Sequence, residues 1–540
     1  MNKKIIILGV IFSGMMIASC VKDLDVKPKD PNTILAGNLG DDPAYMKQTL
    51  GKIYASFMIS GQGSNGGDDI TAPDPNFFTT MRALWNLQEI TTDEAICAWG
   101  DVGIADLNTQ TWNQNNPFLT ALYQRLSLSI TYANDFIKFT NGNADPVVAK
   151  YNAEARFLRA LAYSWAIDLF GQFPLTTDAD GVGKFFPVIK SRPEIFAYVE
   201  VELLAIQDKL GEPKFSYPQA DKAACWMLLS RLYLNAQVYT GTARWADCKT
   251  YCDKVIKSDK YSLAPNYRQN FSADNDGSHN PEMIFAWEQD GVNTQGYVGT
   301  TFLIESSSDD TYIKAERFHG LTSNTNWNGN RTKRQFVNIL VDTLATYGNV
   351  PVPTSDSIFA QCKDKRVYLK TKKSWDIPNA SSNGYYGIGV YKFTARNTNG
   401  SQSANYNPAF ANTDFPIFRY ADALLMRAEA LYRLGDKPSA IIDINAVRAR
   451  AFGNASGNIT AAQLTDKFLL DERGREFYYE AQRRTDMVRF GQFTDGSYKW
   501  IWKGGTFAGA QTGSYLNIFP IPSAEISANP NYNGQNNPGY

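Results

Sequence analysis

Apolar residues recur at three- and four-residue steps through Ala155, Leu158, Leu161, Ala162, Trp165, Ala166 and Leu169, and the run stops at Gly171 ahead of Pro174. That spacing keeps one face of an α-helix apolar, and glycine followed by proline is a helix stop. The pattern returns from Asp221 to Tyr239 through Ala224, Leu228, Leu229, Leu232, Tyr233 and Ala236. Gly241 and Thr242 break it, and Trp245 to Ile256 begins a further helix. Two such helices joined tightly at a glycine predict an αα-hairpin. A second helical block runs Ala421 to Leu434, Lys437 to Ala451 and Leu464 to Phe490. The predicted class is mainly α, built from irregular helix pairs.

Between the helical blocks, over residues 259–418, the periodicity gives way to Asn, Gly, Ser, Thr, Asp and Pro, as in Ser272–Pro281, Ser306–Asp310 and Thr322–Asn330. A similar stretch, 60–116, precedes the first strong helices. Both are predicted to be loop-rich, and loops on a rigid scaffold commonly carry recognition. Large rings stand in this polar text: Trp85, Trp99 and Trp112 in the first stretch, Tyr297 and Trp327 in the second. A ring among Asn, Gly and Thr either plugs a small core or is exposed to a ligand. Pyranose rings have apolar CH faces that stack on indoles, while flanking polar groups bond the hydroxyls. Composition alone leaves both readings open.

The N-terminus reads differently. Lys3 and Lys4 precede a mostly apolar run, Ile5 to Ile17, which Ile17-Ala18-Ser19-Cys20 closes. The order is that of a secretory signal peptide over residues 1–19, and the run is too short to span a bilayer. No apolar stretch long enough for a transmembrane helix follows. A formal net charge of −1 and no basic stripe argue against a nucleic-acid partner. Beyond Cys20, the cysteines 97, 225, 248, 252 and 362 form no disulfide framework or metal spacing and are expected to be free thiols.

Several motifs suggest chemistry that their context does not support. Gly61-Gln62-Gly63-Ser64-Asn65-Gly66 fits a dinucleotide-binding string, but no βαβ unit surrounds it, and Asp68-Asp69 would repel a pyrophosphate. Glu472, Glu476 and Glu480 share a helical face, but two acids on one face do not easily flank a glycosidic bond from opposite sides. Arg473, Arg475, Arg483 and Arg484 would also keep those carboxyls ionised, so a structural ion-pair network is expected. Ser272 to Gly277 half matches a calcium loop, but Met283 stands where a bidentate Glu is needed. Asp274 and Asp276 are nevertheless candidate ligands of a structural calcium; no other cofactor is implied.

Three stretches carry a family resemblance. Leu470-Asp471-Glu472-Arg473-Gly474-Arg475-Glu476-Phe477-Tyr478-Tyr479-Glu480, continuing to Arg489-Phe490-Gly491, resembles the C-terminal signature of the SusD/RagB family. The ending Phe519-Pro520-Ile521-Pro522 to Pro538-Gly539-Tyr540 is similar to its terminal motif, and Ala153 to Leu161 to its first helical signature. The segment before Cys20 resembles a lipobox, which implies lipidation of Cys20 and a tether over 20–45, and the family resemblance implies one glycan-binding domain over 46–540. The family resemblance implies a non-enzymatic lipoprotein on the outer face of the outer membrane. Such a protein has four tetratricopeptide-like helix pairs as scaffold and caps a SusC-like TonB-dependent transporter.

Within the family, Thr92-Asp93-Glu94 with Ala98-Trp99 resembles the binding loop of starch-binding members. The resemblance implies that Trp99, Tyr297 and Trp327 stack on sugars and that Asp74 and Arg82 bond their hydroxyls. Cys97 stands in place of a second tryptophan and Val102 in place of an asparagine; Trp85 is a candidate substitute platform. Starch or malto-oligosaccharide is the leading ligand, and Cys97→Trp is expected to tighten α-glucan binding if the pocket otherwise matches that of starch-binding members. Fructan, or a peptide-binding role, is the alternative.

Overall fold

Many helices of the computed structural model begin at a side-chain cap, several of them followed by proline. The model describes residues 42–61, 69–72, 78–180, 185–277, 279–341, 356–381 and 383–540, so the expected signal peptide, Cys20 and Asp74 lie outside the described residues. Helix α1 (Pro43–Ala55) is capped by Asp42, and the short α2 (Thr80–Trp85) by Thr79. The long α3 (Pro117–Thr140) and α4 (Pro146–Leu169) start at Asn116-Pro117 and Asp145-Pro146. The cap oxygen accepts an orphan N–H, and proline costs nothing at a position whose N–H is unpaired anyway. Asp221 and Asp436 cap α6 (Lys222–Leu234) and α10 (Lys437–Phe452) in the same way.

Helix α5 (Arg192–Ile206) lies between α4 and α6; α7 (Trp245–Lys257), α8 (Gly299–Ser307) and α9 (Tyr420–Arg433) follow. Sequence neighbours pack together: α3 with α4, α6 with α7, α9 with α10. The periodic residues of α4 are all buried, as their spacing predicts. The expected helix 221–239 is interrupted at Asn235, and a short turn of helix, Ala236–Thr240, completes it. The expected 464–490 helix is two: α11 (Asp466–Phe477) and α12 (Arg483–Arg489). Tyr479 and Ala481 between them have positive φ, +64° and +58°, which a continuous right-handed helix forbids.

The stretch 259–418 is less loop-like than its composition suggests. It holds α8 and most of the strands. With β1 (Ala95–Cys97) from the first polar stretch, β5 (Asn330–Thr332), β6 (Leu369–Thr371) and β7 (Ile388–Val390) form one sheet in the order β1-β5-β7-β6. Strands β4 (Met283–Trp287) and β8 (Phe415–Arg419) pair antiparallel in a separate sheet, and β2 (Phe173–Leu175) pairs with β3 (Val188–Lys190). Among the described residues no helix is long and apolar enough to cross a membrane.

The carboxylate row of α11 is internal. Glu472 is fully buried between Arg366, Arg448 and Arg475 at 2.9, 2.6 and 3.0 Å. Glu476 meets Arg366, Arg419 and Arg450 at 3.0, 2.8 and 2.5 Å, and Glu480 meets Arg419 and Lys392, both at 2.7 Å. Although burial opposes it, this surrounding of guanidinium groups pulls the Glu472 carboxyl down to about 2. A general acid needs the opposite shift. The row is an ion-pair network joining distant segments, as its arginine-rich text predicts. Cys97, Cys225, Cys248 and Cys252 are buried free thiols, and Cys362 is half-buried.

Candidate functional site

Strand pairing brings the two predicted tryptophan platforms together. β1 and β5 run antiparallel with Cys97 opposite Asn330, and the Ala98 N–H extends the ladder to the Gly329 carbonyl at 2.9 Å. One step further on each strand stand Trp99 and the Asn328–Trp327 pair. Their ring centroids are 6.3 Å apart with planes tilted by 52°, and both rings are half-buried. The Trp99 indole N–H donates to the Trp327 carbonyl at 3.0 Å, and that of Trp327 to the Asn324 carbonyl at 2.8 Å. Both polar edges are satisfied by the backbone of one loop.

That loop is unusually specified. Asn324, Asn326 and Asn328 all have positive φ (+56°, +67° and +51°), a conformation that asparagine tolerates better than most residues. Glu305 on α8 holds it from below: its Oε2 accepts the Asn326 N–H at 3.0 Å, and its backbone carbonyl accepts the Trp327 N–H at 3.0 Å. Burial pushes the Glu305 carboxyl up to about 8. Gly329 completes the fit, since a Cβ there would overlap the Trp99 indole.

Tyr297 closes the other side. It precedes α8, and its ring lies 5.8 Å from Trp327 and 5.2 Å from Phe410. Phe410 is a ring the sequence reading missed. Its loop is pinned by Asn407, whose Oδ1 accepts the Ala409 and Phe410 N–H groups and whose Nδ2 donates to the Gly291 carbonyl at 2.9 Å. Trp99, Trp327, Tyr297 and Phe410 form one row of half-buried rings. Arg82 backs the row from α2, its guanidinium carbon 5.6 Å from the Trp99 ring and 4.7 Å from Phe302. At these distances the cation is attracted by the ring faces.

Trp85 does not belong to the site. It is 0 % exposed, its N–H donates to the Tyr479 carbonyl at 3.2 Å, and its ring meets Tyr479 and Phe302 edge-on. A sugar cannot reach it. The polar text after it misled, because Asn86, Gln88 and Glu89 are themselves buried in a π-helical turn, Asn86–Ile90. Cys97 is also core: it is buried, and burial pushes its thiol up to about 11. Val102, by contrast, is 80 % exposed on the Trp99 loop.

The Thr92-Asp93-Glu94 segment is a foundation rather than a surface. Asp93 accepts a bidentate pair from Arg483 at 2.9 and 2.8 Å and the Tyr498 hydroxyl at 2.7 Å. Glu94 accepts the Tyr479 N–H, and Glu89 the Gln482 N–H at 2.9 Å. The break between α11 and α12 thus exists to turn backbone donors toward these buried carboxylates. Strand β1 and the segment before it are thus bolted to the C-terminal signature.

The two calcium candidates have other partners. Asp274 Oδ1 accepts the Thr398 N–H and hydroxyl, both at 2.8 Å, and Asp276 pairs with His279 at 2.9 Å. Glu282, the nearby acid, is taken by Arg419 and Arg450. Among the described residues no three His, Cys, Asp or Glu side chains are grouped to hold a metal ion.

Comparison with known proteins agrees with this architecture. The SusD family profile matches residues 235–540. The chain is 33 % identical to the starch-binding protein SusD of Bacteroides thetaiotaomicron over 99 % of its own length and 98 % of that protein. It is 23 % identical to the SusD-like protein P25 of Formosa agariphila, over 97 % of each. Among solved structures, a SusD-like protein from Bacteroides fragilis superposes with a TM-score of 0.69, covering 95 % of this chain and all of that one at 16 % identity. Surface glycan-binding protein A from Bacteroides fluxus superposes at 0.65, covering 92 % and 99 % at 19 % identity. A mainly helical frame, a row of half-buried rings and an ion-paired carboxylate helix all fit a binding protein without catalytic residues, and the chain belongs to the SusD family of glycan-binding proteins.

Proposed function

We propose that the ring row formed by Trp99, Trp327, Tyr297 and Phe410 captures a glycan chain, with starch-type α-glucan as the leading ligand. The observation that carries this reading is the state of the two indoles. Both N–H groups are satisfied by backbone carbonyls, so what remains to offer is ring face. Ring faces set at angles to one another suit a curved chain, and α-1,4-glucan is helical. By the family resemblance, Arg82 and Asp74 would bond sugar hydroxyls. In this reading no cofactor is needed, since stacking and hydroxyl bonds supply the affinity.

The cellular role follows from the family and from the N-terminal text. The protein would be anchored by lipid on Cys20 to the outer membrane, facing outward, on a scaffold of tetratricopeptide-like helix pairs. It would pass its glycan to a SusC-like TonB-dependent transporter. Lipid chains hold a protein to a bilayer at about 0.8 kcal/mol per buried CH₂, without a transmembrane helix.

A second reading, a different glycan such as fructan, is favoured by one observation: Val102 offers an exposed apolar side chain where a hydroxyl partner is expected. Titration calorimetry of the unlipidated protein with maltoheptaose, levan oligosaccharides and inulin oligosaccharides separates the two. Saturable heat with maltoheptaose supports the α-glucan reading. Heat with a fructan and none with maltoheptaose replaces it with the second, and silence with all three sinks both.

A further inference from the structure

Lys372 is buried, and its ammonium ties three loops together. Nζ pairs with Asp309 Oδ2 at 2.9 Å and donates to Asn328 Oδ1 at 3.1 Å and the Gly384 carbonyl at 2.7 Å. The contact with Asp309 is an ion pair, and those with Asn328 and Gly384 are hydrogen bonds. Each partner sits next to an aromatic element. Asn328 follows Trp327. Asp309 Oδ1 caps the turn that carries Tyr312, accepting the N–H groups of Thr311 at 2.8 Å and Ile313 at 3.2 Å. Gly384 precedes Tyr385 and lies so close to Asn328 that a Cβ would collide with the Asn328 carbonyl oxygen. Trp327 and Tyr385 are thus each one Cα step, about 3.8 Å, from a shared backbone contact.

Beyond this hub lies a second aromatic group. Tyr312, Tyr385 and Tyr386 are half-buried, and none of the three packs on the hydrophobic core. The Tyr312 and Tyr385 rings are 6.3 Å apart with planes at 60°. The Tyr385 hydroxyl donates to Asp310 Oδ1 at 2.7 Å, and Lys373 Nζ lies 5.0 Å from the Tyr386 ring. Asp310 and Asn383 are solvent-exposed. The Asn383 Oδ1 accepts the Tyr385 N–H at 3.2 Å, which leaves its amide N–H₂ to donate. Rings free of core duty, flanked by an exposed carboxylate, an amide and an ammonium, offer stacking faces and hydroxyl partners together.

We propose that Tyr312, Tyr385 and Tyr386, with Asp310, Asn383 and Lys373, form an outer subsite for further sugars of the same glycan chain, held in register with Trp327 by Lys372. The inference rests on the glycan-capture reading above. It adds that affinity rises with chain length beyond what the first ring row can contact. A short oligosaccharide would fill the Trp99–Trp327 row alone, and a long one would reach both.

Calorimetry with maltotriose and with soluble amylose tests this on wild type and a Tyr312→Ala/Tyr385→Ala variant, folding being checked by thermal melting. The variant is expected to bind maltotriose within twofold of wild type and amylose five- to tenfold more weakly. Tyr385→Phe, which keeps the ring and loses the hydroxyl, should recover most of the amylose affinity. Equal affinity of wild type and variant for amylose overturns the subsite, and so does an equal loss with both ligands. Wild-type silence toward both ligands overturns the α-glucan reading on which the subsite rests, a result that Trp327→Ala would share and the tyrosine variants would not distinguish from wild type.

Discussion

The Trp99 indole N–H donates to the Trp327 backbone carbonyl at 3.0 Å, so one platform is fixed to the main chain of the other rather than to its side chain. Removing the Trp327 ring leaves that bond in place. Trp327→Ala and Trp99→Ala should each forfeit about 1.5–3 kcal/mol of burial against the sugar. That is roughly ten- to over a hundred-fold in Kd. Because one chain spans both rings, the double variant should lose less than the sum of the singles. Calorimetry on the three variants decides it, and wild-type affinity in both singles would remove these rings from the site.

Gly329 packs directly under the Trp99 indole. Its backbone has no positive φ, so alanine brings no conformational strain, only the overlap of its methyl with the indole. Gly329→Ala should therefore weaken glycan binding nearly as much as Trp99→Ala while lowering stability by about 1–3 kcal/mol, the usual range for overpacking. Binding unchanged alongside a lowered melting temperature would show that Trp99 is not what the sugar meets.

Cys97→Trp, expected from sequence to restore a lost platform, has a different outcome in this fold. Position 97 is buried in β1, with its N–H bonded to Asn108 Oδ1 at 3.0 Å and its carbonyl accepting from Asn108 Nδ2 at 2.8 Å. An indole there must displace core atoms. The variant should lose about 1–3 kcal/mol of stability and gain no affinity. A melting curve with calorimetry alongside would expose the opposite result, tighter binding at unchanged stability.

How much of this was legible beforehand depended on range. Helices such as α4 announce themselves because one buried face dictates a local period. Trp99, Tyr297 and Trp327 stood out as rings in polar text, and the fold does bring them together. Phe410 gave no such signal, since its place in the row depends on Asn407 reaching Gly291, more than a hundred residues away. Trp85 looked like its neighbours for the opposite reason: its polar context is buried, which composition cannot reveal. The interruption at Tyr479 and Ala481 was equally hidden, because neither is glycine and the carboxylates that stabilise it, Glu89 and Glu94, lie at the other end of the chain.

Glu305 links pH to the Trp327 loop. It is fully buried, its Oε1 has no hydrogen-bond partner, and burial raises its carboxyl from the ordinary value to about 8. Between the unfolded pKa of about 4.5 and 8, the folded state keeps a proton that the unfolded chain has released. Stability from this group is therefore fully present below about 4.5 and declines as pH rises to about 8, at roughly 1.4 kcal/mol per unit. Glu305→Gln keeps an oxygen for the Asn326 N–H and removes the titration. Melting temperatures of both proteins from pH 5 to 9 should diverge steadily up to about pH 8, with the Gln variant gaining on wild type, and then run parallel. Curves parallel throughout would mean that Glu305 ionises in the fold as it does in water, and that the loop beneath Trp327 is open to solvent.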